Sequence, residues 1–538
     1  MASHKIRALA VLASVALASA ALGTAAHADE AGCKALNGRS YPAATMSLPQ
    51  NGAKITKADW IAARPNFQAY CKVAGEIAPL DQNATVILWA LNLPETWNKK
   101  AVQEGGGGLN GTLVQANGLL RDSPPGSAPL AKGFVTLGTD GGHPNAKPEI
   151  GVFFLNAEAV TNNSYGANKK AHDLSLTIIN DYYGAKPDKF YFFGGSEGGR
   201  QAMVAVQRYP ADYDGVVAVV PALQSTGNNL AKYNAYLASV NGGYIDKPHL
   251  KLLTDDTERQ CDALDGIKDR IISKYRACLA IAKFDKIRCM DGREGGDCLS
   301  DDQIKAVQTW RHPYSWGFPL KNGYTGLPGW SIGGEDLPGS VNPWIELDQR
   351  MTLADPATEI NASQWARYYV MHDGNFRGPL NLKDPAIRKR IQDYSDFTDN
   401  NNPDLGPFLA RGGKLIVKEN TADYAVAPEG NFAYFDKIVA KMGAQKVNSF
   451  MRFYVNPGMN HGGSASRQDG SKAPDKVDMF GELDAWVTSG KAPGTLTVTA
   501  YNAKGEAEAS KPMCQLPLYP RYIKGDANVA TSYKCVPH

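Results

Sequence analysis

Residues 190–207 read Phe190-Tyr-Phe-Phe-Gly-Gly-Ser-Glu-Gly-Gly-Arg-Gln-Ala-Met-Val-Ala-Val-Gln207. The aromatic run Phe190 to Phe193 predicts a short buried strand. Gly194 and Gly195, Ser196, and Gly198 and Gly199 follow, and Met203, Val204 and Val206 then return at helical spacing. Strand, sharp glycine turn and helix is the setting in which G-x-S-x-G becomes a nucleophile elbow. Ser196 must sit on a strained turn with its hydroxyl exposed, and side chains at 194 or 198 would collide with neighbouring backbone. The pentapeptide alone is a weak signal, because the chain holds 54 glycines and an ordinary glycine loop is the simpler reading. The flanking strand and helix favour a catalytic serine.

The chain has 538 residues, room for one large domain with an insertion or for two domains. Residues 1–28 read as a signal peptide: Lys5 and Arg7, an apolar run from Ala8 to Ala21, and an A-x-A site at Ala26-His27-Ala28. The apolar run is too short for a membrane anchor, and no later stretch is long enough to span a bilayer. These features predict a secreted or periplasmic chain. Without the segment the net charge falls from +3 to +1, which argues against nucleic acid or an anionic membrane as partner. The chain has eight cysteines, an even count that suits disulfides after export. They fall into local couples, and sequential pairing is expected: Cys33 with Cys71, Cys261 with Cys278, Cys289 with Cys298, Cys514 with Cys535. No C-x-x-C supports a cysteine metal site.

Upstream of the elbow, residues 29–85 show little periodicity, and Ala84 to Asn92 predicts a strand. Glu104-Gly-Gly-Gly-Gly-Leu-Asn-Gly111 follows. A dinucleotide loop would need a G-x-G-x-x-G helix and a downstream acid, which are not evident. A flexible linker is a second reading, and an oxyanion loop preceding the elbow fits best. Gly133 to Gly142 predicts a strand and turn, Lys169 to Tyr183 a helix, and Tyr213 to Pro221 a strand. This alternation implies a parallel sheet with helices on both faces. Between 225 and 405 the chain turns rich in Gly, Pro, Asn and Asp. Trp310, Trp316, Trp330, Trp344 and Trp365 fall there. They suit either a pocket for a flat substrate or the segment's own core. Strand patterns resume at Gly412 to Lys418 and Ser449 to Val455, with helices at 431–443 and 480–487. The fold class is α/β, an α/β-hydrolase fold with a large inserted lid. The partition is core 29–224, lid 225–405 and core 406–538.

A serine hydroxyl needs a base, and the base needs an acid to hold its tautomer. In this fold the acid and then the histidine follow the serine on loops after later strands. His143 and His172 precede Ser196, His249, His312 and His372 fall in the lid, and His538 ends the chain. His461, on a glycine-rich loop directly after a core strand, is left as the base, against the plainer reading of a structural loop histidine. Asp423 follows the preceding core strand and is the favoured acid, with Glu419 as its rival. The oxyanion would be held by the backbone N–H of Glu197 and of a glycine near Gly108. Glu197 would act through its backbone alone, leaving its side chain free to vary.

These stretches resemble the tannase and feruloyl esterase family of α/β-hydrolases. The resemblance rests on Glu104 to Gly111, Thr139-Asp-Gly-Gly-His143, Gly194 to Arg200, Cys261-Asp-Ala-Leu-Asp-Gly-Ile-Lys-Asp269 and Pro457-Gly-Met-Asn-His461. It implies aromatic acid esters as substrates, a lid, paired neighbouring cysteines, and the roles given to Ser196, Asp423, His461, Gly108 and Glu197. It also implies a structural Ca2+ in the lid, held by the carboxylates of Asp262, Asp265 and Asp269 and the carbonyls of Ile267 and Ile271. A hard cation wants such oxygens, although a solvated acidic loop is the commoner pattern. Arg270 stands where the family has glycine. The family also has cysteines just before the nucleophile and just after the histidine. Here these positions are Gly195 and Gly462, which predicts a site held by packing alone.

Arg367, among lid aromatics, is a candidate clamp for a substrate carboxylate, with a structural salt bridge as the alternative. The leading function is hydrolysis of feruloyl, galloyl or related aromatic esters, with a small-molecule ester as partner. Rival readings are an aliphatic hydroxyacid-oligomer hydrolase, a peptidase using the same triad, and a binding protein that keeps the fold.

Overall fold

The centre of the molecule is a run of strands that are buried on both faces, as Gly215-Val-Val-Ala-Val219 is throughout. The computed structural model describes residues 28–144, 149–290, 295–330, 333–334 and 361–538. In chain order the strands are β1 (Ser40–Tyr41), β2 (Ala53–Ile61), β3 (Tyr70–Ile77), β4 (Ile87–Pro94), β5 (Lys100–Glu104), β6 (Val135–Thr139), β7 (Lys189–Gly195) and β8 (Gly215–Val219). Then follow β9 (Tyr314–Ser315), β10 (Gly326–Leu327), β11 (Lys414–Ala422), β12 (Met451–Asn460), β13 (Leu496–Tyr501), β14 (Ala507–Gln515), β15 (Leu518–Tyr522) and β16 (Tyr533–Pro537). Among the described residues, one twelve-stranded sheet runs β1-β2-β3-β4-β6-β5-β7-β8-β11-β12-β14-β13.

Its central block β6-β5-β7-β8-β11-β12 is parallel. Both flanks are antiparallel, so the expected parallel sheet is the middle of a larger mixed one. The missed flank has a physical cause. A bulge between Ile55 and Lys57 shifts the register of β2 against β3, and one extra residue breaks the period-two alternation that marks a strand. The sheet is covered by the helices Ala167–Tyr183 and Glu197–Arg208, among others. All four disulfides join the expected partners: Cys33–Cys71, Cys261–Cys278, Cys289–Cys298 and Cys514–Cys535.

The described part of 220–413 adds helices, including Ser225–Ala238, Lys247–Cys261, Asp301–Arg311 and Pro385–Thr398, and the ribbon β9–β10. Trp310, Trp316, Trp330 and Trp365 are buried there in one cluster with Phe154, Tyr233 and Tyr394. For these four rings the core reading holds. Trp344 and the signal segment 1–27 lie outside the described residues. No described helix is long and apolar enough to cross a membrane.

One buried ion pair fastens a loop to the middle of the sheet. Lys418 on β11 places Nζ 2.7 Å from Asp122 Oδ2, with both side chains almost fully buried. Burial alone would raise the Asp122 carboxyl, but Lys418 and Arg121 hold it below its ordinary range. Removing one partner of a buried pair strands the other charge. Lys418→Met is expected to cost about 3–5 kcal/mol in urea unfolding. The double variant Lys418→Met, Asp122→Leu should regain most of that loss.

Candidate active site

β7 ends at Gly195, and the helix Glu197–Arg208 begins one residue after Ser196. Ser196 has φ 62° and ψ −119°, the strained conformation of an elbow. Both of its backbone groups are fixed by the end of β8 and the turn that follows: Ser196 N–H donates to the Val219 carbonyl (2.8 Å), and Ala222 N–H to the Ser196 carbonyl (3.2 Å). A Cβ on Gly198 would lie 2.9 Å from the Gly105 and Gly106 carbonyl oxygens, so glycine is required there.

The base and the acid are brought together by strand register. β11 and β12 run parallel, with Ala422 paired to Asn460. The next residue on each strand is Asp423 and His461. His461 Nδ1–H donates to Asp423 Oδ2 at 2.7 Å, and Ser196 Oγ–H donates to His461 Nε2 at 2.8 Å. Asp423 Oδ1 accepts the N–H groups of Ala425 and Val426, both at 2.8 Å. Asp423 is buried and Ser196 partly exposed, as a positioned acid and an accessible nucleophile require. The rival acid Glu419 makes no bond to the imidazole. It is fully buried, accepting from Asn431 Nδ2 (2.6 Å) and Asn420 N–H (3.1 Å). Burial pushes its carboxyl well above the ordinary range, and the neighbouring Asp423 charge adds to the rise. The carboxyl bonded to the imidazole is that of Asp423, and Glu419 is held by Asn431 and Asn420 instead.

The glycine loop follows β5. Gly106 N–H donates to Gln201 Oε1 at 3.1 Å, which ties the loop to the elbow helix. Among the described residues the N–H groups of Gly108 and Glu197 have no protein acceptor. The Thr139-Asp-Gly-Gly-His143 stretch braces this loop. Buried His143 donates from Nε2 to the Leu109 carbonyl at 2.9 Å, and Asn163 Nδ2 donates to the same oxygen at 2.9 Å. Burial lowers the His143 pKa, opposed by the Pro144 and Leu109 carbonyls beside the ring.

Two side chains read differently in the structure. The Glu197 carboxylate is not free to vary: Arg200 Nε lies 2.9 Å from each of its oxygens, and Arg200 also donates to the Ser164 and Asn163 carbonyls (2.7 and 2.8 Å). Arg200 is buried, so this ion pair anchors the first turn of the elbow helix. Arg367 Nε donates to the Gly374 carbonyl at 2.6 Å and Nη2 to Tyr368 Oη at 3.3 Å, with Glu149 3.7 Å away. These contacts, with Glu149 as the acidic neighbour, match the structural salt-bridge alternative for Arg367.

The proposed calcium loop is buried and closed by Cys261–Cys278. Asp262, Asp265 and Asp269 are 8, 1 and 8 % exposed. Their carboxylates accept the N–H groups of Asp269, Ile267 and Ser273, and Ile271. Lys511 Nζ lies 3.4 Å from Asp269. Arg270 adopts φ 67°, the left-handed backbone that glycine takes at no steric cost. Its Nε is 2.7 Å from Glu258.

Sequence reasoning also passed over Lys232 on the helix Ser225–Ala238. Burial lowers its ammonium to about 8, opposed by the Asp423 charge. Only the fold places it near the triad.

A family model described as tannase and feruloyl esterase matches residues 71–536. The chain belongs to the tannase and feruloyl esterase family. It is 33% identical to an uncharacterized esterase of Agrobacterium fabrum, over 94% of this chain and 92% of that protein. It is 29% identical to the mono(2-hydroxyethyl) terephthalate hydrolase of Piscinibacter sakaiensis over the same shares. The crystal structure of feruloyl esterase B from Aspergillus oryzae matches with a TM-score of 0.74 at 23% identity, covering 94% of this chain and 100% of that one. At that identity the structural likeness speaks to the fold.

The two carboxyls are separable by isosteric amides. Asp423→Asn leaves the imidazole without its charged partner and is expected to lower kcat by about 10⁴-fold. Glu419→Gln should leave most of kcat in place. The reverse order would reassign the acid.

Proposed function

We propose that this chain hydrolyses esters of aromatic carboxylic acids through an acyl-enzyme on Ser196. The observation that carries this reading is the continuous chain of hydrogen bonds from Ser196 through His461 to Asp423. Ser196 Oγ attacks the ester carbonyl as His461 Nε2 takes its proton. Asp423 holds the imidazole by Nδ1 and stabilises the imidazolium. Among the described residues the N–H groups of Glu197, on the elbow, and Gly108, on the glycine loop, have no protein acceptor, which supports them as donors to the oxyanion. His461 returns the proton to the departing alcohol, and water then repeats the sequence on the acyl group. Family membership and the relatives named feruloyl esterase support aromatic acids as the acyl half. The four disulfides suit an exported protein.

The test is kcat/KM on methyl ferulate, methyl gallate, a terephthalate monoester and a hydroxybutyrate dimer, with Ser196→Ala as control. An aromatic ester is expected to lead, and Ser196→Ala should be inactive on the whole panel. A preference for the aliphatic dimer would overturn the substrate class.

We also propose that Asp262, Asp265 and Asp269, with the carbonyls of Ile267 and Ile271, hold a structural Ca2+. The support is charge: three buried carboxylates have Lys511 3.4 Å from Asp269, and a divalent ion would offset the remaining negative charge. Bound only to the folded state, the ion would stabilise it by mass action. Chelation is expected to lower Tm, and added Ca2+ should restore it, with little change in kcat well below Tm. An unchanged Tm after exhaustive chelation would remove the ion from the account.

A further inference from the structure

Arg121 belongs neither to the triad nor to the oxyanion loop, yet it touches both turns that carry the reacting side chains. Its side chain lies over Gly195, the residue before the nucleophile. A Cβ built on Gly195 would overlap the Arg121 stem and stand 2.9 Å from Nη1. The other guanidinium nitrogen, Nη2, donates to the backbone carbonyl of His461. One side chain thus covers the elbow and holds the histidine turn.

The segment that carries Arg121 is itself anchored elsewhere. Asp122 is locked by Lys418 at 2.7 Å, and its carbonyl accepts Val477 N–H at 2.8 Å. Asp122 also fills the space at the far side of the histidine turn, where a Cβ on Gly463 would come within 2.5 Å of Oδ1. Arg121 therefore reaches out from a fixed point, which lets it restrain its neighbours. No disulfide ties the two turns, since 195 and 462 are both glycine and all eight cysteines are paired elsewhere. The expectation of a site held by packing alone is corrected here: a charged donor bridges the turns.

We propose that Arg121 is a positioning residue that holds the His461 backbone against the nucleophile elbow and so sets the Ser196–His461 contact. A hydrogen bond from an ionised donor is stronger than a neutral one. It acts on the main chain of residue 461, so the imidazole stays free to pass the proton. A displacement of about 1 Å between reacting groups costs on the order of 10²-fold in rate. The inference rests on the Ser196 hydrolase reading.

Two variants separate positioning from packing. Arg121→Met keeps a stem over Gly195 and loses the donor, whereas Arg121→Lys keeps a donor. Both are compared with the unaltered chain on the best ester of the panel, with active sites counted by fluorophosphonate labelling. Arg121→Met is expected to lose roughly 10- to 100-fold in kcat, with KM little changed and Tm near that of the parent. Arg121→Lys should recover much of the loss. Equal kcat per labelled site in Arg121→Met and parent overturns the proposal, as does an equal loss in both variants. A parent inert on every ester would instead defeat the hydrolase reading on which it rests.

Discussion

The parallel pairing of β11 with β12 is the constraint on which the site depends. Ala422 lies opposite Asn460, so the chain leaves the sheet at Asp423 and His461 side by side. A slip of one residue in either strand would turn its side chain to the other face and part the pair. The β7–β8 pairing does the same for the nucleophile, because the last residue of β8 and the turn after it clasp both backbone polar groups of Ser196. The triad is thus a property of sheet register, and the loops need only a short reach. A cluster of buried strands is a costly thing to deform, which is why a loop-borne site can be held to hydrogen-bond tolerance.

The electrostatics of the site are arranged by burial as much as by pairing. Asp423 and Glu419 lie close together in a region without solvent. Burial first, and the Asp423 charge second, raise the Glu419 carboxyl above its ordinary range. Asp423 is the carboxyl bonded to the imidazole. Arg200 and Glu197 form a second buried pair, under the elbow, and Lys418 and Asp122 a third, behind the histidine turn. Each is worth little as net stability, but each fixes the direction of a segment that bears a functional group.

The parts legible in the sequence were those with local signatures. The elbow shows in Gly194 to Gly198, and the parallel strands show as continuous apolar runs. His461 emerged because the other histidines precede the serine, fall in the lid or end the chain. Sequential pairing of the cysteines worked because each couple is close in the chain. What the sequence concealed was either broken local pattern or non-local contact. The bulge in β2 erased its alternation. Arg121, 340 residues from His461, carries no local mark of its role. His143 was set aside because it precedes the serine, yet it serves as a brace for the glycine loop. Arg367 suggests a substrate clamp because it sits among aromatics, and only the fold shows that its Nε and Nη2 donate to Gly374 and Tyr368.

The central claim is that the Ser196 hydroxyl, activated by His461, becomes acylated during turnover. It is tested most directly by acid-quenching the enzyme within its first turnovers on an activated aromatic ester and locating the adduct by peptide mass spectrometry. The account predicts one acyl group per chain, on the peptide containing Ser196, forming at a rate compatible with kcat. Turnover with no adduct, or with the acyl group on another residue, would contradict it.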